Sequence, residues 1–368
     1  MSRRRAGRWP PACLNRRAAF IGWCGAIRRE KYTAVFGWQS FVCERERRLA
    51  LDDPAKFARA ATVGLEYLEP SCSAGELPQL LARVRAALND IDAFFAPGDR
   101  PAFERQGSRL RFASPCAGDG PNSIARAQLY EAKRRERAVV LLPFWNASRN
   151  DFRTFGALFA RTGVTCLQLS LPYHDERATP GIAFARELVC ENLGLTVRSN
   201  RQAVLDARAC LDWLEQQGYR RIGIVGVSVG AAIASIVAGL DRRVRAAALI
   251  LMADDFAEVV WTGSATRHVK RALEQSFTRE EVRAAWSIIS PAAHAARLSA
   301  RLSRVLIVSG EIDTVVLPEQ TRVYVERVRA HGLRPSWVRY RCGHYTLALP
   351  YYAARCLLRT LAFFHTFL

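Results

Sequence analysis

From about residue 98 onward, short apolar runs alternate with longer segments of helical periodicity, and this alternation constrains the fold more than any other feature. The apolar runs cover residues 138–142, 164–169, 222–225, 246–251, 305–308 and 337–340. Few polar residues interrupt them, as in strands that are buried on both faces. The helical candidates are residues 151–161, 199–217, 229–240, 318–330 and 350–364. This order predicts an α/β fold, with a mostly parallel sheet and helices on both of its faces.

The length of 368 residues, without visible internal repeats, favours one principal domain with additions. We expect residues 1–31 to be a basic, poorly ordered extension and residues 32–97 to be a helical region packed on the core. Residues 98–368 then form the α/β domain. The long interval between two predicted strands, about residues 254–300, is the natural place for a small lid over the carboxyl edge of the sheet.

The net charge of +20 raises the question of a nucleic-acid partner. Nearly all of the 54 basic residues are arginines, and they are spread along the chain rather than concentrated in one segment. We therefore expect no nucleic-acid partner, and peripheral contact with an anionic membrane is the alternative use of the charge. The sequence leaves the oligomeric state open.

The ten cysteines include no CxxC pair and have few histidines nearby, so the sequence predicts no metal site. Several lie in apolar runs, which favours buried, reduced thiols and a cytoplasmic location. The arginine-rich N-terminus is similar to a twin-arginine export signal. However, Trp9, Pro10 and Pro11 interrupt the apolar part that such a signal needs, so export is the alternative.

The stretch RIGIVGVSVGA, residues 221–231, places Ser228 between two glycines, after an apolar run and before a helical segment of small residues. A serine at so sharp a strand-to-helix turn needs a strained, positive-φ backbone. Bulky residues two positions away on either side would collide across the turn. The turn exposes the hydroxyl, and the following helix brings a backbone N–H near it. The pattern predicts that Ser228 is a nucleophile.

A serine hydroxyl becomes nucleophilic when a general base takes its proton, and the base needs a carboxylate to orient it. Asp313 follows the apolar run 305–308, and His344 follows the run 337–340. Both therefore lie at the sheet edge where Ser228 emerges, which predicts a Ser228–His344–Asp313 triad. For the acid, Glu311 and Asp254–Asp255 remain alternatives.

The segments GVSVG, DTVVLPE and CGHYTL together resemble those of the alpha/beta-hydrolase superfamily, over roughly residues 100–368. The segments LPFWNASRNDF, LPYHDERATPG and LDWLEQQGYRRIGIVGVSVGAAIAS are similar to the subgroup called abhydrolase domain-containing type 18. The superfamily resemblance implies acyl transfer to water through a serine ester, with no metal or organic cofactor required. Two positions depart from it: Ala231 stands where many relatives have glycine, and residues 143–146 replace a common His-Gly pair.

A tetrahedral intermediate carries negative charge on oxygen and needs two donors. We expect the backbone N–H of Val229 to be one of them. The second should come from Phe144 or Trp145, since Pro143 has no N–H. The side chain of Asn146 either adds a donor or caps the helix that starts near residue 151.

The segment after the second predicted strand also borders this edge of the sheet. Tyr173 and His174 either contact substrate or belong to a loop in which residues 175–177 form ion pairs. Aromatic residues in the loops and the expected lid favour an apolar acyl group, namely Phe144, Trp145, Phe256 and Trp261.

These features together favour a serine hydrolase that cleaves a carboxylic ester of a small molecule or a lipid. Two alternatives stay open. One is an acyltransferase with the same triad, in which an alcohol replaces water. The other is a non-catalytic protein that binds a membrane surface or nucleic acid on the same scaffold.

Overall fold

A computed structural model describes residues 29–50, 59–72, 75–116, 120–182 and 184–368, with side chains of the first helix described from residue 37. The chain divides into two compact units, Met1–Phe41 and Val42–Leu368. In the first unit the described residues belong to helix α1, Arg29–Leu49, where the rings of Trp38 and Phe41 lie 5.4 Å apart. The predicted basic extension, residues 1–31, lies almost wholly outside the described residues.

The described part of the second unit is built on one nine-stranded sheet, in the order β1-β2-β3-β5-β4-β6-β7-β8-β9. The strands are β1 Phe103–Gln106, β2 Arg109–Ala113, β3 Ile124–Tyr130, β4 Arg137–Leu142, β5 Thr165–Ser170, β6 Arg221–Val227, β7 Val244–Ile250, β8 Val305–Gly310 and β9 Ser336–Tyr340. From β5 to β9 all neighbours pair in parallel, whereas β1, β2 and β3 pair antiparallel and β3 joins β5 antiparallel.

The six parallel strands, β4 to β9, correspond to the six apolar runs of the sequence. The three antiparallel strands were not predicted, because buried residues alternate with more exposed ones in β2 and β3, and β1 has no buried residue. In β2, for example, Leu110 and Phe112 are buried while the arginines beside them are exposed. Such alternation is typical of strands with one solvated face.

The helices that follow α1 are α2 Leu77–Asn89, α3 Ile91–Phe94, α4 Arg153–Arg161, α5 Leu193–Gln216, α6 Val229–Leu240, α7 Phe256–Thr262, α8 Arg267–Leu273, α9 Arg279–Ala285, α10 Pro291–Arg301, α11 Pro318–Ala330 and α12 Pro350–Phe367. Each predicted helix of the α/β region is present. Helix α5 begins earlier than predicted because the side chain of Asn192 caps it by accepting the N–H of Leu195 at 2.7 Å.

Apolar packing covers both faces of the sheet. In β4, Val140 and Leu142 belong to a hydrophobic cluster that includes residues of α5 and α6. Val139 and Leu141 belong to a second cluster with residues of α4 and α12. Since alternate residues of a strand face opposite sides, helices lie on both faces, and the predicted α/β architecture is confirmed.

The interval predicted to be a lid, residues 254–300, holds helices α7 to α10 between β7 and β8. Phe256 packs edge-on against Trp286, with ring centroids 5.7 Å apart, and Trp286 is fully buried. The interval is therefore a helical layer whose buried apolar residues belong to the main hydrophobic cluster of the domain. Its opening and closing as a lid stay a prediction.

None of the described helices combines the length and the apolar character that crossing a membrane requires. The eight cysteines within the described ranges are free thiols.

Candidate active site

Ser228 lies at the turn between β6 and α6, and its backbone has the strain that the sequence predicts. Its φ is 56° and its ψ is −120°, a conformation that non-glycine residues rarely adopt. Such a conformation costs on the order of 1–3 kcal/mol and persists where the surroundings impose it. Here the N–H of Ser228 donates to the carbonyl of Ile250 in the neighbouring strand at 2.8 Å, which fixes the turn to the sheet.

The two glycines flanking Ser228 make room for the turn in different ways. A methyl group at Gly226 would overlap the backbone of Gly230 and Ala231, as expected across a tight turn. A methyl group at Gly230 would instead overlap the backbone of Leu142 and Pro143. The second glycine thus brings the start of α6 against the loop after β4, which the sequence analysis did not foresee.

The structure brings the three predicted triad residues together. Nε2 of His344 lies 3.0 Å from Oγ of Ser228, and Nδ1 lies 2.9 Å from Oδ2 of Asp313. The three side chains come from the loops after β6, β9 and β8, whose carboxyl ends meet at one edge of the sheet. This arrangement joins a hydroxyl, an imidazole and a carboxylate by two hydrogen bonds.

The carboxylate of Asp313 is held by its own loop. Oδ1 accepts the backbone N–H groups of Val315 and Val316, both at 2.8 Å, which leaves Oδ2 for His344. Only 2% of the Asp313 side chain is exposed. A carboxylate with three donors in a buried position has one orientation, and that orientation sets the plane of the imidazole.

The pKa of His344 is raised above its usual 6.5. Burial opposes protonation, but the charge and hydrogen bond of Asp313, together with the charge of Glu46, outweigh it. The imidazole is therefore a stronger base than a free histidine, and the imidazolium formed when it takes a proton is stabilised.

The alternative acids have other partners. The carboxylate of Asp254 pairs with Arg327 at 2.7 and 2.8 Å, and that of Asp255 caps helix α7. Glu311 is exposed. Only Asp313 contacts the imidazole of His344 among these candidates.

The predicted oxyanion donors flank the same turn. Within the described part of the chain, the backbone N–H groups of Val229, Phe144 and Trp145 donate to no protein acceptor. Because Gly230 lies against the backbone of Leu142, the start of α6 and the loop after β4 are close neighbours. Unpaired N–H groups at such a junction are suited to receive a negatively charged oxygen.

Asn146 and His174 are joined by a hydrogen bond that was not predicted from the sequence, whereas the Asn146 side-chain amide as an oxyanion donor stays a prediction. The side-chain oxygen of Asn146 accepts the N–H of Ala185 at 2.9 Å, so it does not cap the helix near residue 151. The backbone N–H of Asn146 donates to Nε2 of His174 at 2.8 Å. Nδ1 of His174 contacts the carbonyl of Pro172 at 2.9 Å.

His174 is therefore engaged through both ring nitrogens and is only 3% exposed. Burial lowers its pKa to about 4, so the ring is neutral near pH 7. A neutral ring accepts at Nε2 and donates at Nδ1, as this geometry requires. The structure thus gives His174 the task of holding the loop after β4, rather than the predicted contact with substrate.

The neighbours of His174 form the ion-paired loop that was the alternative prediction for this segment. Tyr173 is 9% exposed and its N–H donates to the side chain of Asn122 at 3.1 Å. Glu176 pairs with Arg149 at 3.0 Å. Arg177 is fully buried and pairs with Asp206 at 2.8 Å. These residues thus belong to an ion-paired loop, and contact of Tyr173 with substrate stays a prediction.

Glu46 was not predicted from the sequence. This residue of α1 is fully buried, and its carboxylate accepts the N–H groups of His344, Tyr345 and Thr346. The available signal was weak: Val42, Glu46 and Ala50 recur at helical spacing, and a glutamate in the middle of a buried stripe needs partners.

Of the four aromatic residues expected near substrate, Phe144, Trp145 and Trp261 are half-buried and Phe256 is buried. Trp145 stacks on His268 of the 254–300 interval, with ring centroids 6.0 Å apart. Phe144, which precedes Trp145 in the sequence, is also half-buried. Phe256 lies in the core against Trp286. Among the described residues, no group of three or more His, Cys, Asp or Glu side chains could hold a metal ion.

The fold and this arrangement define the class of the protein: it has the alpha/beta-hydrolase fold. A family model described as alpha/beta hydrolase fold matches residues 200–345, a stretch that contains Ser228, Asp313 and His344. No curated protein matches the chain.

Solved structures with the same fold do match. An acetyl xylan esterase from Paenibacillus sp. R4 is 15% identical, with a TM-score of 0.57, over 80% of this chain and 100% of that chain. A puromycin-hydrolyzing peptidase from Mycobacterium tuberculosis is 17% identical, with a TM-score of 0.52, over 74% of this chain and 40% of that chain. An acylaminoacyl peptidase from Pyrococcus horikoshii is 12% identical, with a TM-score of 0.54, over 75% of this chain and 43% of that chain. The chain thus spans well under half the length of either peptidase.

Proposed function

We propose that the protein is a serine hydrolase that cleaves a carboxylic ester through an acyl-serine intermediate. The observation that carries this proposal is the position of His344, within 3.0 Å of the Ser228 hydroxyl and 2.9 Å of the Asp313 carboxylate. A strained turn that presents the serine and free N–H groups beside it add support. The similarity to esterase and peptidase structures agrees with hydrolysis.

In the first step, Oγ of Ser228 bonds to the ester carbonyl carbon while its proton passes to Nε2 of His344. The carbonyl oxygen becomes an oxyanion and accepts the N–H of Val229 and one N–H of Phe144 or Trp145. As the carbonyl re-forms, the bond to the alcohol breaks, and the alcohol takes the proton from His344.

Water then attacks the acyl-serine by the same route. Its proton passes to His344 as its oxygen bonds to the acyl carbon, and the proton returns to Oγ of Ser228 as the acid leaves. Asp313 accepts the Nδ1–H of His344 throughout and stabilises the imidazolium. Each N–H donor at the oxyanion is worth roughly 10²–10³ in kcat.

We propose that the acyl group of the substrate is apolar, because the half-buried rings of Phe144 and Trp145 flank the predicted oxyanion donors. The proposal includes lipid esters, in keeping with the segments similar to the abhydrolase domain-containing type 18 subgroup. An acetyl ester and an N-acylated peptide are the other candidates, by analogy with the acetyl xylan esterase and the acylaminoacyl peptidase.

A substrate panel tests the bond and the acyl length. We expect the wild type to hydrolyse p-nitrophenyl acetate, butyrate and octanoate, with Ser228→Ala inactive on all three and correctly folded by circular dichroism. p-Nitroanilides of the same acids should react much more slowly. Preferential cleavage of the anilides would contradict the ester assignment. Adding methanol and measuring the methyl ester formed tells hydrolysis from acyl transfer to an alcohol.

A further inference from the structure

The loop that carries His344 rests on a carboxylate from the other end of the chain. Glu46 lies in the last turn of α1, and its side chain is completely buried. Oε2 accepts the backbone N–H of His344 at 2.9 Å. Oε1 accepts the N–H groups of Tyr345 at 2.9 Å and Thr346 at 2.8 Å, and the Thr346 hydroxyl at 3.1 Å. One carboxylate thus engages three consecutive residues of the loop.

This set of partners suits an ionised carboxylate and no neutral side chain. All four partners of Glu46 are donors, so a group with donors of its own would face them unfavourably. Hydrogen bonds of this kind to a charged acceptor are about twice as strong as neutral ones. Burial raises the pKa of Glu46 above its usual value, and these hydrogen bonds reduce that rise without cancelling it.

The loop is shaped around the carboxylate. A methyl group at Gly343 would overlap the carboxyl carbon of Glu46, so glycine lets the two come together. The hydroxyl of Thr346 accepts the N–H of Gly343 at 2.7 Å while it donates to Glu46. Backbone, threonine and glutamate therefore form one closed hydrogen-bonded unit beside the imidazole.

We propose that Glu46 is a positioning residue for the proposed hydrolysis, which sets the orientation of His344 through the backbone of its loop and adds a second negative charge behind its ring. The inference rests on the proposed role of Ser228, His344 and Asp313. With this role for Glu46, the C-terminal end of helix α1 contributes to the proposed active site.

The charge has a definite consequence for pH dependence. Among the described residues, the titratable and charged groups that act on the His344 ring or on its neighbours in the loop include Asp313 and Glu311 after β8, Glu46 of α1, Arg267 of α8, and Cys342 and Tyr345 beside His344. Of these, Asp313 and Glu46 are the anions that raise the pKa of His344. Removing the Glu46 charge should lower that pKa, so that the base becomes neutral, and the serine reactive, at a lower pH.

The test is the rate at which Ser228 is labelled by a fluorophosphonate probe, measured from pH 5 to 9. In Glu46→Gln the amide oxygen can keep the three donors of Oε1, but the amide NH₂ then points at the N–H of His344. We expect the labelling rate at pH 8 to fall roughly 10- to 100-fold because the imidazole is misplaced. The acidic limb of the profile should also move to lower pH.

Glu44→Gln is the matched control, because Glu44 lies in the same helix but is exposed and pairs with Arg47 and Arg48 of that helix. It should keep the wild-type rate and profile. Glu46→Asp keeps the charge and shortens the side chain, so its rate should fall while its acidic limb stays in place. If Glu46→Gln fails to fold by circular dichroism, Glu46→Asp decides the matter.

The inference would be overturned if Glu46→Gln were labelled at a rate within twofold of the wild type and with the wild-type pH profile. If Glu46→Asp has to replace it in the test, the same result for that variant would overturn the inference. That result differs from a failure of the proposed function, in which the wild type itself is not labelled, or is labelled equally in Ser228→Ala.

Discussion

The backbone N–H of Asn146 donates to Nε2 of His174 at 2.8 Å, so a buried imidazole fixes the loop that carries the proposed second oxyanion donor. Trp145, one of the two candidates for that donor, immediately precedes Asn146, whose own backbone has a positive φ of 65°. The loop therefore depends on His174 for a conformation that it would not adopt alone.

Replacing His174 by alanine should reduce catalysis more than substrate binding. The N–H of Asn146 loses its acceptor, and the loop no longer holds its donor toward the oxyanion. We expect kcat on p-nitrophenyl butyrate to fall about 10- to 100-fold with little change in KM, since the donor acts mainly in the transition state. His331→Ala, an exposed histidine at the end of α11, is the control. Equal kcat values in both variants would count against this role.

His174 should also make the fold sensitive to acid. Its pKa is lowered to about 4 by burial, whereas in the unfolded chain it should lie near the usual 6.5. As the pH falls from 6.5 to 4, the unfolded state binds the proton first, so the free energy of unfolding decreases over this range and levels off below it. His294, also buried with a pKa of about 4, adds to the same effect.

The raised pKa of His344 changes the free energy of unfolding in the opposite direction. Its stabilising contribution is present at low pH and is lost as the pH rises through the pKa of the folded state. Urea denaturation at pH 7 and pH 4.5 measures the balance. His174→Gln should lose less stability between these two values than the wild type does, and His331→Gln should lose as much as the wild type. If His174→Gln loses as much stability between these pH values as the wild type does, the titration of His174 is not involved.

Gly230→Ala should disrupt the site through the neighbouring loop. The added methyl group overlaps the backbone of Leu142 and Pro143, which cannot move aside as a flexible side chain would. We expect a loss of about 1–3 kcal/mol in the free energy of unfolding, together with a loss of activity. Gly37→Ala, where no atom lies within 4 Å of the new methyl group, is the control and should be tolerated. Thermal unfolding and ester hydrolysis report the two effects.

Asp313→Asn should leave the fold intact and remove most of the activity. An amide at this position no longer stabilises the imidazolium and favours the wrong tautomer of His344. In such triads this change lowers kcat by about 10⁴. The comparison is Asp255→Asn, which removes part of a helix cap and an ion pair with Arg283 but no contact with His344. Hydrolysis that survives in Asp313→Asn and disappears in Asp255→Asn would assign the acid to the other loop.

Much of this fold could be predicted because its strands are buried on both faces. The apolar runs around Val140 and Ile307 leave little choice other than a central strand, and Ser228 between glycines at the end of such a strand marks the turn. Antiparallel strands such as β2 were missed because a solvated face lets arginines alternate with Leu110 and Phe112. A short, charged stretch of that kind has no distinctive pattern.

The supporting residues of the site escaped prediction for a different reason. Glu46 and His344 are 298 positions apart, and nothing local in ERERRL distinguishes the buried glutamate from the exposed Glu44 beside it. His174 could be placed at the right sheet edge, but whether its ring faces substrate or the Asn146 N–H depends on how two loops pack. Such contacts are set by tertiary structure and leave at most a weak signal in the sequence.

The central claim is that His344 activates the Ser228 hydroxyl. The most direct measurement is labelling of the whole protein with a fluorophosphonate probe, followed by peptide mass analysis, in wild type, Ser228→Ala and His344→Ala. We predict one adduct on the wild type, located on Ser228, none on the serine variant, and a rate reduced by orders of magnitude in the histidine variant. An adduct at another residue, or equal labelling of all three proteins, would contradict the account.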